Sequence, residues 1–457
     1  MLNRQIVLLD GTGTGKEELA PLLNLLIKEL HDSGAVLQTY RLREIKMGAC
    51  IGCFGCWLKT PGSCLEPDAG RDIAQAVVQS DMTILFTPVT FGGYSSEIKK
   101  LQDRWLPLVL PYFGLYHGET HHSPRYARYP RLVGIGIQRQ PNPEEANLFK
   151  VLVGRNALNF HAPSHAAEVF LTSEEPEQMR QKLQAVLVRN DAIPVAERVK
   201  SLMPGTDMPA ISLPTTSSPG RALLLVGSPK VKSPSTSGIL GGYVLEQLKQ
   251  RGWDTEALTL RANLLRGEGQ VEFLSCLDRS DLLILAFPLY IDALPFLATQ
   301  ALEVMAAHLR AQPPEHPKRF FAISNNGFPE AHHNALALAI CQRFAVDTGL
   351  IWSGGLALGA GEALCSGQPL TGAERTGRPP VKHVIQALDM ASAALADGQP
   401  VPAEAVKLIA KTPIPLMPFS LWRWLFVRIG RQHWQQQADQ NQVSQEELLA
   451  QPYAVDC

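Results

Sequence analysis

Ser80-Asp81-x-x-Ile84-Leu85-x-x-Pro88 returns as Ser280-Asp281-x-x-Ile284-Leu285-x-x-Pro288, at an offset of 200 residues without a gap. An apolar strand core alone would not repeat the flanking Ser-Asp and Pro, so the chain reads as two copies of one fold. Each copy alternates apolar strands with amphipathic helices. In the first, RQIVLLD, AVLQTYRL, MTILFTPV, RLVGIGI and AAEVFLT are the strands, separated by helix-period segments. Such alternation predicts a parallel sheet covered by helices on both faces. The expected fold class is α/β, with two tandem doubly wound five-stranded parallel sheets and a C-terminal helical tail. The expected boundaries are a first domain at 1–195, a Pro/Ser/Thr-rich linker at 196–219, a second domain at 220–400 and a tail at 401–457.

The charge balance of 42 basic to 43 acidic residues gives no footprint for nucleic acid. No apolar run reaches the eighteen or so residues of a membrane span. The first residues, MLNRQIVLLDG, read as a strand entering a glycine loop, not as a secretory signal. A cytoplasmic location is the expectation for such a chain with free cysteines.

Four of the eight cysteines fall within fifteen residues, as Cys50-x2-Cys53-x2-Cys56-x7-Cys64. From Gly11 to Pro88 the first copy spans 77 residues, whereas Gly227 to Pro288 spans 61. The excess is close to the length of the cysteine segment, which therefore reads as a module carried by one copy only. Three thiolates recurring every third residue can wrap one metal centre. Iron–sulfur clusters use this run, while zinc prefers two separated pairs. A redox or vestigial set of thiols is the third reading. The remaining cysteines are scattered and read as ordinary thiols.

In open parallel sheets, ligands bind at the carboxyl ends of the strands. After the first strand of the second copy come Ser228, Lys230, Ser233, Ser235, Thr236 and Ser237, well supplied for a phosphate at a helix N-terminus. The first copy offers Thr12 and Thr14, but Glu17 and Glu18 follow them. Neither copy has G-x-G-x-x-G at a strand-to-helix turn, which argues against a resident dinucleotide site. The third-strand loops, Pro88-Val-Thr90-Phe91-Gly92-Gly-Tyr94 and Pro288-Leu289-Tyr290-Ile-Asp292, combine small residues with aromatics. Asn325, Asn326 and Gly327 add donors at the same edge. Together these loops suggest a planar, phosphorylated ligand.

Both halves resemble the flavodoxin-like fold of FMN-binding NAD(P)H-dependent oxidoreductases. G-S-P-K…S-x-S-T at 227–236 is similar to that family's phosphate loop, and P-L-Y-x-D-x-L-P at 288–295 to its isoalloxazine loop. The cysteine run resembles that of iron–sulfur flavoproteins, and TPVTFGGYSSEIKKLQDR their flavin-contacting turn and helix. The resemblance implies FMN, a [4Fe–4S] cluster on Cys50, Cys53, Cys56 and Cys64, and NAD(P)H as transient hydride donor. It also implies a small-molecule or protein electron acceptor and self-association. A carrier or redox sensor without its own substrate, and a cofactor-poor assembly protein, are the rival readings. Two further segments stand out. Tyr116–Tyr126, rich in His, reads as a lid or contact loop. The segment carrying Trp422, Trp424 and Trp434 beside arginines reads as a packed helix or, alternatively, a membrane-surface one.

Overall fold

A computed structural model describes residues 3–13, 15, 17–205, 219–230, 234–365, 367–371, 380–414 and 416–454. The chain divides into two compact units, 1–195 with 425–457, and 196–424. Among the described residues, no helix is long and apolar enough to cross a membrane.

The first unit contains β1 (Gln5–Asp10), β2 (Val36–Arg41), β3 (Met82–Pro88), β4 (Val109–Tyr116), β5 (Glu119–Pro124), β6 (Arg131–Gln138) and β7 (His165–Leu171). Its sheet runs β2-β1-β3-β6-β7, all parallel. The second unit contains β8 (Arg221–Val226), β9 (Asp254–Thr259), β10 (Leu282–Pro288), β11 (Arg319–Asn325) and β12 (Ile351–Leu358). Its order is β12-β11-β10-β8-β9, again parallel. Read from the edge beside the first strand, both follow the 2-1-3-4-5 doubly wound order of flavodoxin. The tandem flavodoxin-like fold expected from the repeat is therefore present. Central strands need apolar residues on both faces, and every residue of β3 (MTILFTP) is buried, whereas the edge strand β2 (VLQTYR) is mostly exposed.

The repeated Ser-Asp has a structural reason. Ser80 Oγ donates to Val77 O at 2.9 Å and Ser280 Oγ to Leu277 O at 2.8 Å, each closing the end of a helix. The following carboxylates accept the first strand's leading N–H, Gln5 N to Asp81 and Arg221 N to Asp281, both at 2.8 Å. Their backbone carbonyls accept from Arg131 N and Arg319 N on the other side. One aspartate thus fixes the start of three adjacent strands. Pro88 and Pro288 end the central strands, where the missing N–H leaves no gap in the ladder.

The sheet of the first unit approaches its covering helices closely at Gly134 in β6. A Cβ built there would lie 2.3 Å from Val153 Cγ2 on the buried face of the helix Pro143–Asn159. Gly134→Ala is expected to cost about 1–3 kcal/mol of first-unit stability through overpacking. Thermal denaturation should show the loss, and Gly134→Ala with Val153→Ala should recover part of it.

Two segments differ from the sequence reading. Residues 116–126 are not an irregular loop. Strands β4 and β5 form an antiparallel hairpin turning through His117 (φ 49°) and Gly118 (φ 82°), the paired positive φ of a tight primed turn. Glu119 and His121 on this hairpin are buried, and Glu119 is ion-paired with Arg155. Nor does the tail form a separate body. The helix Ala403–Ile409 belongs to the second unit, whereas everything from Leu425 onward belongs to the first.

Candidate functional site

The cysteine segment leaves the carboxyl end of β2 and returns at the helix Ala69–Gln79. Its path is bent by three left-handed residues, Gly52 (φ 62°), Phe54 (φ 53°) and Gly62 (φ 85°). Glycine fits two of these positions without strain. The backbone then turns donors back onto sulfur. Gly52 N donates to Cys50 Sγ at 3.5 Å and Gly55 N to Cys53 Sγ at 3.4 Å. The Cys-x-Gly pattern, twice in succession, produces this arrangement.

Cys50, Cys53, Cys56 and Cys64 come together. Cys56 feels the other three thiols electrostatically, and Cys50 feels Cys53, Cys64 and the Asp103 carboxylate. Burial, then the neighbouring negative groups, pushes the Cys50 thiol up to about 12, and burial likewise raises Cys56 well above its ordinary value. A bound cation would have to displace those protons. The four-thiol set, with N–H groups aimed at two sulfurs, fits a thiolate-held cluster.

The surroundings contain residues that the sequence reading missed. Trp57 is buried, its indole N–H donating to Val109 O at 2.9 Å. Phe54 stacks on it with centroids 5.5 Å apart, and Trp434 meets it edge-on at 4.9 Å. The tail helix is therefore a packed element at Trp434, whereas Trp424 on the same helix is 57% exposed. Buried Arg125 donates to Pro107 O at 2.7 Å and, from the tail, to Leu448 O at 2.9 Å and Ala450 O at 2.7 Å. Tyr453 and Ser63 share a hydroxyl hydrogen bond of 2.9 Å. The tail thus closes one side of the cysteine segment. A tyrosine four residues before the last residue carries no such signal in sequence.

His122 lies against Trp57, with ring centroids 5.0 Å apart. Burial first, and then the neighbouring His121 and His161, push its imidazole down to about 4. An unfolded His titrates near 6.5, so the folded state is favoured fully above that pH and loses stability as pH falls from 6.5 towards 4. The expected loss is about 3 kcal/mol, levelling below pH 4. Thermal denaturation against pH should show this step, and His122→Asn should shrink it, leaving the smaller share of His161 and His165, whose imidazoles burial also pushes down.

At the carboxyl end of β1 in the first unit, the loop donors are already engaged. Asp10, fully buried at the end of β1, accepts from Thr12 N at 2.9 Å and from Thr12 Oγ1 at 2.6 Å. Arg43 donates to Thr12 Oγ1 at 2.7 Å and pairs with Asp10 at 3.6 Å. A carboxylate holds the loop's donors, so these residues do not fit a phosphate. This is a stronger objection than Glu17 and Glu18. Thr90 bridges Gly93 through backbone hydrogen bonds, with Phe91 and Gly92 at positive φ between them. Phe91 and Tyr94 are both buried, Tyr94 edge-on to Phe149. Both side chains are thus packed within the first unit. Pro88 is buried also, and Thr14 lies outside the described residues.

The second unit's loop is held by other partners. Ser235 caps the helix Thr236–Gln250 by accepting from Gly238 N at 3.0 Å. Ser237 Oγ accepts from Asn325 Nδ2 at 2.8 Å, and Asn325 also donates to Phe287 O at 3.1 Å. These two polar residues brace the sheet edge. Asn326 is similarly spent, donating to Glu330 O at 2.8 Å and accepting from Phe328 N at 3.1 Å. Ser228 Oγ accepts from Lys230 N at 3.4 Å. Pro288, Leu289 and Tyr290 are half-buried, Asp292 is buried at φ 58°, and Gly327 is exposed. Ser233 lies outside the described residues.

The segment after β12 reaches back over this loop. Lys230 Nζ pairs with both oxygens of Glu362, at 3.0 and 3.1 Å. Thr236 Oγ1 donates to Gly361 O at 3.4 Å, and a Cβ on Gly367 would lie 2.3 Å from Pro234 O. Sequence reasoning missed this crossing, since the fifth strand is three places from the first. It also missed a duplicated arginine. Arg43 donates to Thr12 O at 3.3 Å, and its counterpart Arg261 donates to Ser228 O at 3.0 Å and Lys230 O at 2.9 Å.

Comparison with curated proteins places the similarity among iron–sulfur flavoproteins. One from Archaeoglobus fulgidus is 31% identical over 86 residues, covering 19% of this chain and 38% of the relative. Another, from Methanocaldococcus jannaschii, is 34% identical over 88 residues, covering 18% of this chain and 45% of the relative. This chain resembles the flavodoxin-like FMN oxidoreductases and iron–sulfur flavoproteins. It spans less than half the length of those two relatives. No family model matches. Among solved structures, the NAD(P)H:quinone oxidoreductase of Methanothermobacter marburgensis is 14% identical with a TM-score of 0.26, over 39% of this chain and 100% of that one. An FMN-dependent NADH-azoreductase of Bacillus anthracis, in complex with FMN, is 11% identical with a TM-score of 0.27, over 39% and 99%.

Proposed function

We propose that the protein is an FMN-dependent oxidoreductase whose second unit holds the flavin and whose first unit holds a [4Fe–4S] cluster on Cys50, Cys53, Cys56 and Cys64. The gathering of four thiols with N–H groups directed at sulfur carries the cluster half of the reading. The names of the similar curated proteins support it. The helix N-terminus at Thr236, with Lys230 and the Ser228–Ser237 hydroxyls, supports the flavin half, and the first unit's loop, held by Asp10, is the poorer candidate. FMN would supply the exchange between two-electron and one-electron chemistry, with NAD(P)H as the donor. Lys230 and Thr236 would bind its phosphate, and the half-buried Leu289 and Tyr290 would border its ring. Arg261 would hold the phosphate loop open through its carbonyls.

The deciding experiment is anaerobic purification followed by an absorption spectrum and assays of flavin, iron and acid-labile sulfide per chain. About one flavin with iron and sulfide in a four-to-four ratio is the expected result. A colourless protein after reconstitution with FMN, iron and sulfide would overturn the proposal. Flavin that NADH and NADPH leave oxidised, but a reduced ferredoxin reduces, would replace it with an electron carrier.

A further inference from the structure

The cysteine loop is shut at its neck by a side chain that contributes no sulfur. Arg104 follows the helix Ser96–Gln102, and its side chain is 1% exposed. Its guanidinium donates to Gly48 O and to Glu66 O, both at 3.1 Å. Those carbonyls lie just before Cys50 and just after Cys64. The same guanidinium pairs with Asp68, whose carboxylate also accepts from Gly48 N at 2.8 Å and from Gly70 N at 2.9 Å. One charged pair therefore joins both ends of the loop and caps the helix Ala69–Gln79. Arg71 reinforces the far end by donating to Cys64 O at 2.7 Å.

Those contacts use only the two terminal nitrogens. Arg104 Nε is buried and has no hydrogen-bond partner among the described residues. The guanidinium lies within hydrogen-bonding and electrostatic reach of the Cys64 thiol. A buried donor without a partner costs roughly 1–3 kcal/mol, so a position that retains one beside a thiol calls for an explanation. The Cys64 sulfur is an acceptor within reach of this guanidinium. The room is tight, since a Cβ on Gly70 would lie 2.8 Å from Arg104 Cζ, so the guanidinium is held in place.

We propose that Arg104, clasped to Asp68, is the positioning residue of the four-cysteine centre: it closes the Gly48–Glu66 loop before any metal arrives and sets a fixed positive charge against the Cys64 sulfur. This rests on the reading of the cysteines as cluster ligands, and it adds a second role to a residue outside the ligand set. Lysine cannot replace it fully. An ammonium keeps the charge but cannot span two carbonyls and a carboxylate in one plane. Clasp and charge are therefore separable by substitution.

The test compares wild type, Arg104→Lys and Arg104→Gln in the full chain. In metal-free protein, hydrogen exchange of residues 48–66 should quicken about tenfold or more in both variants, while exchange in β1 and β3 stays at the wild-type rate. After anaerobic reconstitution with ferrous iron and sulfide, iron per chain should fall at least twofold in both. The midpoint potential of the iron that remains should drop in Arg104→Gln, where a positive charge near the reduced centre is lost, and stay near wild type in Arg104→Lys. A purely structural arginine would not separate the two variants by potential. Wild-type exchange in the variants, or an unchanged potential in Arg104→Gln, overturns the proposal. Wild-type protein that takes up no iron refutes the cluster itself, and the exchange measurement still decides the clasp. Should Arg104→Gln not fold, Asp68→Asn carries the exchange arm and Arg104→Lys the iron assay.

Discussion

Serine at Cys50, Cys53 and Cys56 together is expected to reduce iron and sulfide per chain to below about one-tenth of the wild-type value, because a cluster cannot persist on one thiolate. Flavin content should be unchanged, since the residues proposed to hold FMN belong to the other unit. The substitution is nearly isosteric, and the two Gly N–H groups that point at Cys50 and Cys53 can donate to a hydroxyl instead. Loss of fold is thus not the expected cause of lost iron, and the far-ultraviolet dichroism spectrum should remain that of the wild type. Retention of iron and sulfide in this variant would refute the ligand assignment. Loss of both iron and flavin would place the flavin in the first unit, against the objection raised by Asp10.

The second large effect concerns the flavin. Glu362 places a carboxylate on Lys230, the residue proposed to meet the phosphate. Like charges that compete for one cation oppose each other by about 1 kcal/mol or more when partly shielded from water. Glu362→Gln should therefore tighten FMN binding by roughly tenfold, measured by fluorescence quenching of the free flavin. Lys230→Ala should weaken it by about tenfold or more, as expected for a charged hydrogen bond to phosphate. Combining the two should give the Lys230→Ala affinity, because with no lysine the carboxylate has little to compete for. Weaker binding in Glu362→Gln would mean that the segment after β12 helps to build the phosphate site.

Much of the fold was legible because its signals are local. The Ser-Asp-x-x-Ile-Leu-x-x-Pro repeat encodes a helix end, a strand start and a strand end, with hydrogen bonds at Ser and Asp and apolar burial at Ile and Leu that recur in both units. The cysteine spacing was legible for the same reason, since Cys-x-Gly shapes its own N–H···S turn. What escaped were contacts between residues far apart in the chain. Nothing near Arg104 or Arg125 advertises a partner 36 or 325 residues away. The hairpin of β4 and β5 escaped because its polar face, with buried Glu119 and His121, mimics a solvated loop. Phe91 and Tyr94 were read as ring contacts because their loop matches a flavin turn, yet tertiary packing turns both aromatics into the core.

One side of the cysteine site is covered by residues that lie far along the chain from it. Cys64 is translated early, but Trp434, Leu448, Ala450 and Tyr453, which pack or hydrogen-bond around the site, follow only after the whole second unit. During synthesis the thiols are therefore gathered by their own turns while one side stays uncovered. Once the tail docks, that side of the four thiols is covered, whereas Cys53 stays exposed to solvent.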